Sequence, residues 1–295
     1  MVNINKHLLL ILLLLISNMC NAFEWTKHTI TSQGITIPYS KCVIASGATT
    51  DKPYLVMYLH GGTSKGSDNE KQLLEPAVES IATYMQEHGI SAIFLIPQCP
   101  ADKSWGGPMN NVLKSLIDSY ATTGVADANR IYLFGGSMGG TGTWGMVSAY
   151  PNIFAAAMPV AGNPSKCVAA NVAQVPVLTV MGTADNIMSI AAVNTFVDQV
   201  RALGGEVQFD IEEDWTHEST CINSYTTLRL DWVFAHMRGT ESAVNNVIGA
   251  DEVVHTAWYT TDGNHLMQQP QHSGIYVQHT ITKSGIVNIR KLMLR

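Results

Sequence analysis

Short apolar runs alternate with amphipathic stretches through most of this 295-residue chain. Each run has the length of a strand and is bounded by glycine, proline or polar residues, which is typical of strands buried on both faces. The predicted strands are 54–59, 91–96, 131–134, 155–160, 176–181 and 206–211, and the predicted helices are 76–88, 110–122, 141–150, 191–203 and 224–236. This alternation predicts an α/β fold with a mostly parallel central sheet and helices on both faces.

The pattern differs at the two ends. Segments 29–37 and 39–44 alternate polar and apolar residues and predict edge strands of an antiparallel start. Towards the C-terminus, short alternating pieces are separated by turn residues typical of hairpins. These pieces are 256–260, 274–282 and 286–292. We therefore expect a main domain at 23–239, a linker at 240–254 and a small β-rich appendage at 255–295.

Residues 1–22 have the layout of a secretory signal peptide. Lys6 and His7 precede nine consecutive apolar residues, a run too short to cross a bilayer. Cys20-Asn21-Ala22 then offers small residues at a cleavage site. A buried helix or a membrane anchor is the alternative, whereas Asn18-Met19 before Cys20 is a poor match to the lipobox of a lipoprotein. We expect a secreted or periplasmic protein without a stable membrane span.

Composition narrows the class of partner. The chain has 46% hydrophobic and 14% charged residues, so it can bury a large core. Its net charge of −6 and the lack of a basic run argue against nucleic acid.

Four cysteines remain once a signal peptide is removed: Cys42, Cys99, Cys167 and Cys221. An even number in an exported protein permits two disulfides with three connectivities. We favour a Cys167–Cys221 disulfide, because both residues flank loops that should converge at one sheet edge. The spacing of the four does not resemble a zinc site.

The stretch around Ser137 is the most informative. Gly135-Gly136-Ser137-Met138-Gly139 fits G-x-S-x-G, directly after a predicted strand and before a predicted helix. The bare pattern is often a glycine-rich turn. In a strand–turn–helix context it predicts a nucleophile elbow, in which a strained turn raises the serine hydroxyl above the sheet edge.

A serine hydroxyl becomes an effective nucleophile when a base removes its proton and a third group orients the base. Asp185 and His217 each follow a later predicted strand, so both should lie at the sheet edge that carries Ser137. The chain order Ser137, Asp185, His217 is that of doubly wound hydrolases, and we predict these three as a catalytic triad. Rival acids lie on the strand and loop leading to His217: Asp210, Glu212, Glu213 and Asp214. His236 falls within the last predicted helix and is better explained as structural.

Acyl transfer also needs donors for the oxyanion. One should be the backbone N–H of Met138, the residue after the nucleophile. The other should come from the His60-Gly61-Gly62 loop that follows strand 54–59. We choose Gly62, with its neighbour Thr63 left open, and we expect His60 to brace the loop.

Several motifs together resemble a known group of enzymes. They are Leu59-His60-Gly61-Gly62-Thr63-Ser64-Lys65-Gly66-Ser67-Asp68-Asn69, Ile96-Pro97-Gln98-Cys99-Pro100 with Trp105, Ser137-Met138-Gly139-Gly140-Thr141-Gly142-Thr143-Trp144, and Phe154-Ala155-Ala156. Over about 37–238 the chain resembles the secreted α/β-hydrolases described as predicted peptidases or esterases, which are similar to feruloyl and acetylxylan esterases and to polyhydroxybutyrate-depolymerase-like enzymes. Two departures are Gly62, where the group often has alanine, and Trp215-Thr216 before His217, where it usually has glycine.

The resemblance implies a serine carboxylic-ester hydrolase with an α/β-hydrolase fold and no metal or organic cofactor. Its expected substrates are small esters or esterified plant polysaccharide bearing feruloyl or acetyl groups, with Trp105 and Trp215 lining the acyl or sugar pocket. An oligopeptidase and a non-catalytic surface or carbohydrate-binding protein on the same scaffold are the alternatives. The acyl group and the oligomeric state stay open.

The tail resembles a short form of the C-terminal sorting domain that the type IX secretion system reads. The resemblance rests on Trp258-Tyr259-Thr260-Thr261-Asp262-Gly263, Gly274-Ile275-Tyr276-Val277 and Arg290-Lys291-Leu292-Met293-Leu294-Arg295. It implies the secretion machinery as a partner and the cell surface as a destination. The alternative is a β-hairpin that packs on the hydrolase.

Overall fold

The computed structural model describes residues 23–45, 51–239, 253–260, 265–266, 268–272, 274–282 and 287–294. The predicted signal peptide at 1–22 lies outside the described residues, as does most of the predicted linker. The chain divides into two compact units, Met1–Arg238 and Gly239–Arg295.

In the first unit the described residues form an eight-stranded mixed sheet, in the order β1-β2-β4-β3-β5-β6-β7-β8. The strands are β1 (Trp25–Ser32), β2 (Ile35–Ile44), β3 (Tyr54–Leu59), β4 (Ala92–Pro97), β5 (Ile131–Gly136), β6 (Ala156–Val160), β7 (Val177–Gly182) and β8 (Val207–Glu212). Strands β1 and β2 form an antiparallel hairpin, and β2 also pairs antiparallel with β4. The remaining pairs are parallel. The predicted mostly parallel sheet is confirmed.

Helices cover both faces of this sheet. They are α1 (Pro76–Glu87), α2 (Pro108–Ala121), α3 (Met138–Ala149), α4 (Ala169–Val172), α5 (Ile190–Ala202), α6 (His217–Asn223) and α7 (Thr227–Phe234). One buried apolar cluster joins the sheet to α2, α3 and α5, and a second joins its other face to α1 and α7. The central strands are therefore buried on both sides, which explains their unbroken apolar sequences.

The helices differ from their predicted bounds by more than two residues at two places. The helix after the elbow begins at Met138 instead of Thr141, because Ser137 itself occupies the N-cap position. The helix predicted over 224–236 is α7 at Thr227–Phe234, and a separate helix, α6 at His217–Asn223, precedes it where no helix was predicted. The Thr216 hydroxyl accepts the N–H of Ser219 and caps α6, so the chain turns helical at His217.

The described residues of the second unit form a four-stranded antiparallel sheet, in the order β10-β9-β11-β12. The strands are β9 (Val253–Thr260), β10 (His265–Leu266), β11 (Gly274–Thr282) and β12 (Val287–Leu294). This is the β-rich appendage expected from the alternating C-terminal pattern.

None of the helices in the described ranges combines the length and the apolar character needed to cross a bilayer.

Candidate active site

Ser137 occupies a strained turn between β5 and α3. Its backbone has φ +57° and ψ −117°, a region that residues with a side chain rarely adopt. The turn is possible only because residue 139 has no side chain: a Cβ on Gly139 would lie 1.7 Å from the carbonyl oxygen of Leu59. The Ser137 N–H donates to the carbonyl of Val160 on the neighbouring strand at 3.0 Å. The strand–turn–helix context predicted for the elbow is present.

The structure brings Ser137, His217 and Asp185 together. His217 Nε2 lies 2.7 Å from Ser137 Oγ, and His217 Nδ1 lies 2.8 Å from Asp185 Oδ2. The Asp185 side chain is fully buried, and its other oxygen accepts the N–H groups of Ile187 and Met188 at 2.8 and 2.9 Å. A carboxylate can only accept from Nδ1, so Nε2 is left to accept the serine proton. This arrangement can activate the Ser137 hydroxyl.

The loop before His217 rests directly on the loop that carries Asp185. The N–H of Ala184 donates to the carbonyl of Trp215 at 3.0 Å. A Cβ on Gly182 would lie 2.1 Å from that same carbonyl oxygen. The close approach therefore depends on a glycine on the Asp185 side, in the strand that ends there, although the usual glycine before the histidine is absent.

Two of the rival acids have a different partner. The Arg229 guanidinium donates from Nε to Asp210 Oδ2 at 2.8 Å and from its second terminal nitrogen to Glu212 Oε1. Arg229 is buried, and its guanidinium carbon lies 5.9 Å from the centre of the Trp215 ring. Asp210 and Glu212 are thus engaged in a charged cluster under the His217 loop.

The turn after β3 lies beside Ser137. It forms a single 3-10 turn at Gly62–Ser64, and an added Cβ on Gly62 would meet no atom within 4 Å. Met138 is the first residue of α3, where backbone N–H groups have no partner within the helix. Gly62 and Met138 therefore border open space next to the Ser137 hydroxyl.

Glu75 holds this turn in place, and the sequence analysis missed it. Glu75 Oε1 accepts the N–H of Gly61 at 2.8 Å and the hydroxyl of Ser64 at 2.7 Å. Its Oε2 accepts the Tyr58 hydroxyl at 2.6 Å. Burial, above all, raises the pKa of the Tyr58 phenol well above its usual value, so the phenol remains a donor. Glu75 precedes Pro76 and so looks like an ordinary helix cap, yet its side chain does not cap α1.

His60 braces the same turn from the other side. The N–H of Cys99 donates to His60 Nε2 at 2.9 Å, so Nδ1 carries the proton and donates to the Gly61 carbonyl at 2.6 Å. The His60 carbonyl accepts the indole N–H of Trp105 at 2.9 Å. His60 is fully buried, and this burial lowers its pKa. These contacts agree with the expected bracing role.

A third set of hydrogen bonds, made by the Gln98 side chain, links the loops after β3 and β4. Gln98 Nε2 donates to Asp68 Oδ1 at 2.9 Å and to the Ser64 carbonyl at 3.2 Å, while Gln98 Oε1 accepts the N–H of Asn69 at 2.7 Å. The Gln98 hydrogen bond is the main cause that holds the pKa of Asp68 well below its usual range. Two of the sequence motifs thus meet in one network that fixes the turn.

Two cavities meet at the Ser137 hydroxyl, and Gly62 and Ser137 line both. The first has a volume of about 780 Å³, and we call it the histidine-side cavity because His217 lines it. The second has a volume of about 810 Å³ and is lined by one face of α3, so we call it the helix-side cavity. Both volumes lie in the range of small-molecule sites.

The two tryptophans predicted to line a pocket lie in different places. Trp105 is buried and lines the helix-side cavity. Trp215 is not among the described residues that line either cavity, and its ring faces Arg229 instead.

The expected Cys167–Cys221 disulfide is wrong, because all four described cysteines are free thiols. Cys221 lines the histidine-side cavity and Cys167 lines the helix-side cavity. The two flanking loops do converge on Ser137, but their cysteines enter separate cavities. Burial, as the main cause, raises the pKa of Cys167 to about 11 and that of Cys221 to about 12.

Part of the chain is similar to known hydrolases. Residues 101–224, a range that includes Ser137, Asp185 and His217, match the profile of the dienelactone hydrolase family. Over 68 residues the chain is 35% identical to poly(3-hydroxyalkanoate) depolymerase C of Paucimonas lemoignei, covering 23% of this chain and 16% of the depolymerase. Over 62 residues it is 39% identical to acetylxylan esterase A of Emericella nidulans, covering 21% of this chain and 20% of that esterase. The matched stretches span a fifth or less of either curated relative.

Solved structures are similar over a longer part of the chain. A thermostable esterase superposes with a TM-score of 0.65 at 26% identity, over 72% of this chain and 63% of the esterase. The chain has the α/β-hydrolase fold. A ferulic acid esterase shares it with a TM-score of 0.58 at 14% identity, over 72% of this chain and 99% of that protein.

Proposed function

We propose that this protein is a serine carboxylic-ester hydrolase that works through an acyl-enzyme. In this proposal Ser137 is the nucleophile, His217 is the general base and then the general acid, and Asp185 orients the imidazole. The backbone N–H groups of Met138 and Gly62 bind the oxyanion.

The observation that carries the proposal is the pair of short contacts made by one imidazole. His217 Nε2 lies 2.7 Å from Ser137 Oγ while Nδ1 lies 2.8 Å from a buried Asp185 oxygen. A contact of this kind on both nitrogens at once is what general-base activation of a serine requires.

The reaction follows from these positions. Ser137 Oγ attacks the ester carbonyl as its proton passes to His217 Nε2, and the carbonyl oxygen takes the negative charge between Met138 and Gly62. The imidazolium returns the proton to the leaving alcohol oxygen as the carbon–oxygen bond breaks. Water then adds to the acyl-enzyme by the same proton path and releases the carboxylic acid and Ser137.

For substrates we propose feruloyl or acetyl groups on plant polysaccharide. The printed names of an acetylxylan esterase relative and a ferulic acid esterase with the same fold support this class. Removal of such groups outside the cell is consistent with the proposed signal peptide at 1–22. We also propose that the C-terminal sheet serves as a sorting signal for export, for which the sequence resemblance of the tail is the support.

Two measurements test the proposed chemistry. Ser137→Ala should abolish turnover of p-nitrophenyl acetate while the folded protein remains, as judged by circular dichroism. A fluorophosphonate probe should label Ser137 in the wild-type protein and leave the variant unlabelled. Full turnover by the variant would end the proposal, and a folded wild-type protein that takes no label would favour the non-catalytic scaffold.

An oligopeptidase would use the same three side chains, so an esterase and an oligopeptidase must be distinguished by their rates of hydrolysis of esters and amides. We expect hydrolysis of aryl and alkyl esters to exceed that of matched peptide amides by orders of magnitude. Comparable rates on amides would instead support the peptidase.

A further inference from the structure

Three exposed apolar residues line the histidine-side cavity where it meets solvent. Leu74 is 80% exposed, Ile187 65% and Ile222 38%, and all three belong to the lining of this cavity. They come from three separate segments: the 3-10 turn before α1, the loop after β7 and helix α6. An isolated exposed leucine or isoleucine is common, but a group of them beside one cavity is typical of a binding surface. We call Leu74, Ile187 and Ile222 the apolar rim.

The position of His217 shows which half of an ester lies next to the apolar rim. The oxygen of the leaving alcohol must lie near His217 Nε2 to receive its proton. His217 lines the histidine-side cavity and is not among the described residues that line the helix-side cavity. The alcohol is therefore directed into the cavity that carries the apolar rim.

Helix α6 leads from the imidazole to this rim. His217, Glu218, Cys221 and Ile222 line the cavity, and their spacing of three and four residues places them on one side of the helix. Ile222 lies five residues beyond His217, a rise of about 7.5 Å along α6. An extended chain of about six carbons covers this distance, because each carbon–carbon bond is about 1.5 Å long. An alcohol of that length, with its oxygen at His217 Nε2, therefore reaches Ile222.

The polar side chains inside the cavity already have partners. Tyr58 and Ser64 both line it, and both donate their hydroxyls to Glu75, at 2.6 and 2.7 Å. Lys71 and Glu218 also line the cavity, but they are exposed, so water solvates their charges. A polar alcohol that entered the interior would lose its water without an equivalent partner, whereas an alkyl chain gains by leaving water.

We propose that this protein also hydrolyses esters of apolar alcohols and that Leu74, Ile187 and Ile222 bind the alkyl chain of the leaving alcohol. The inference rests on the proposed esterase function and goes beyond it, because it adds a class of alcohol that is not carbohydrate. The acyl group is not part of the inference.

The first test measures kcat/KM of the wild-type protein for ethyl, butyl and hexyl acetate, all below their solubility limits. These alcohols have nearly the same acidity, so their chemical reactivity as leaving groups is matched. From ethyl to hexyl acetate kcat/KM should rise at least about tenfold, which corresponds to about 1.4 kcal/mol and is less than full burial of the added methylenes would give. A flat series would overturn the inference without any variant.

The second test removes the apolar rim. Leu74→Gln and Ile222→Gln should each lower the ratio of kcat/KM for hexyl acetate to that for ethyl acetate by about threefold or more. Leu228→Gln is the matched control: Leu228 is 82% exposed on α7 and is not among the described residues that line the cavity. This control should keep the wild-type ratio. An equal loss in the control would contradict a role of the rim.

An isomer of hexyl acetate separates the two halves of the ester. Ethyl hexanoate carries the longer chain on its acyl side, so the rim variants should leave its rate relative to ethyl acetate unchanged. If they lower this ratio and leave that of hexyl acetate unchanged, the rim binds the acyl chain and the inference is wrong. A rise in rate that begins only above the solubility limit would assign the rim to a lipid–water interface and would also overturn it.

Failure of this inference can be told from failure of the proposed function. Turnover of p-nitrophenyl acetate with no dependence on the length of the alcohol leaves the esterase standing and removes the alkyl site. No turnover of any ester removes both.

Discussion

The Gly61 N–H donates to Glu75 Oε1 at 2.8 Å, so the turn that carries Gly62 is held by a carboxylate at the start of α1. Ser64, at the end of the same turn, donates its hydroxyl to the same oxygen. One side chain thereby fixes both ends of the segment proposed to bind the oxyanion. The rate of the proposed reaction should depend on Glu75 although Glu75 takes no part in proton transfer there.

Glu75→Gln should lower kcat for p-nitrophenyl acetate about tenfold or more with little change in KM. The glutamine has one acceptor oxygen in place of two, and its amide would face the Tyr58 hydroxyl donor, so about 1–3 kcal/mol of hydrogen bonding is lost. Steady-state kinetics measures this. Glu79→Gln, on an exposed face of the same helix, is the matched control and should behave as wild type. An equal loss in both variants would contradict the positioning role.

Asp185→Asn should lower kcat by about 10⁴-fold with the fold intact, because an amide no longer enforces the tautomer that leaves Nε2 free to accept. Asp210→Asn provides the comparison, since Asp210 bonds Arg229 and not His217. That variant should lose stability and retain most of its esterase activity. If Asp210→Asn lost its activity and Asp185→Asn kept it, Asp210 and not Asp185 would be the acid of the triad.

Gly139→Ala should destabilise the protein by at least about 3 kcal/mol, since its Cβ would overlap the Leu59 carbonyl on rigid backbone. Gly145→Ala, six residues further along the same helix, should instead raise the melting temperature. Its Cβ meets no atom closer than 3.8 Å, and alanine is favoured over glycine within a helix by about 1 kcal/mol. Thermal unfolding of both proteins checks the contrast.

Stability should fall as the pH drops below the ordinary His60 pKa of 6.5. Burial lowers the pKa of His60 in the folded protein, so between the folded value and 6.5 the unfolded chain binds the proton and the folded chain does not. The contribution of His60 is therefore complete above 6.5 and is lost towards acid pH. Urea unfolding from pH 5 to 8 should show this slope, and His60→Asn should flatten it. An unchanged slope in the variant would assign the effect to other groups.

Patterns local in sequence predicted most of the framework. The apolar runs that became β3, β5 and β7 are buried on both faces, so their composition alone indicated a covered parallel sheet. The order Ser137, Asp185, His217 was also readable, because each residue directly follows a strand and parallel strands end at one edge. The geometry that brings them within hydrogen-bond distance agrees with that order.

Contacts between loops that are distant in the sequence could not be predicted from local patterns. Glu75 was missed because a glutamate before a proline at a helix start has an ordinary local explanation. The sequence analysis placed Trp215 in the pocket. The local sequence gives no sign that the Trp215 carbonyl packs against Gly182, which fixes the course of the loop. The cysteine pairing failed for a related reason: convergence of two loops says nothing about which cavity each side chain enters.

The two cavities share only Ser137 and Gly62 among the described residues that line them, and this shapes the order of product departure. In the proposed cycle the alcohol leaves through the cavity that His217 lines while the acyl group is still bonded to Ser137. The space that the alcohol leaves then admits the hydrolytic water next to the His217 imidazole, which removes a proton from it. Bulky alcohols that linger there should therefore slow deacylation as well as the first half of the cycle.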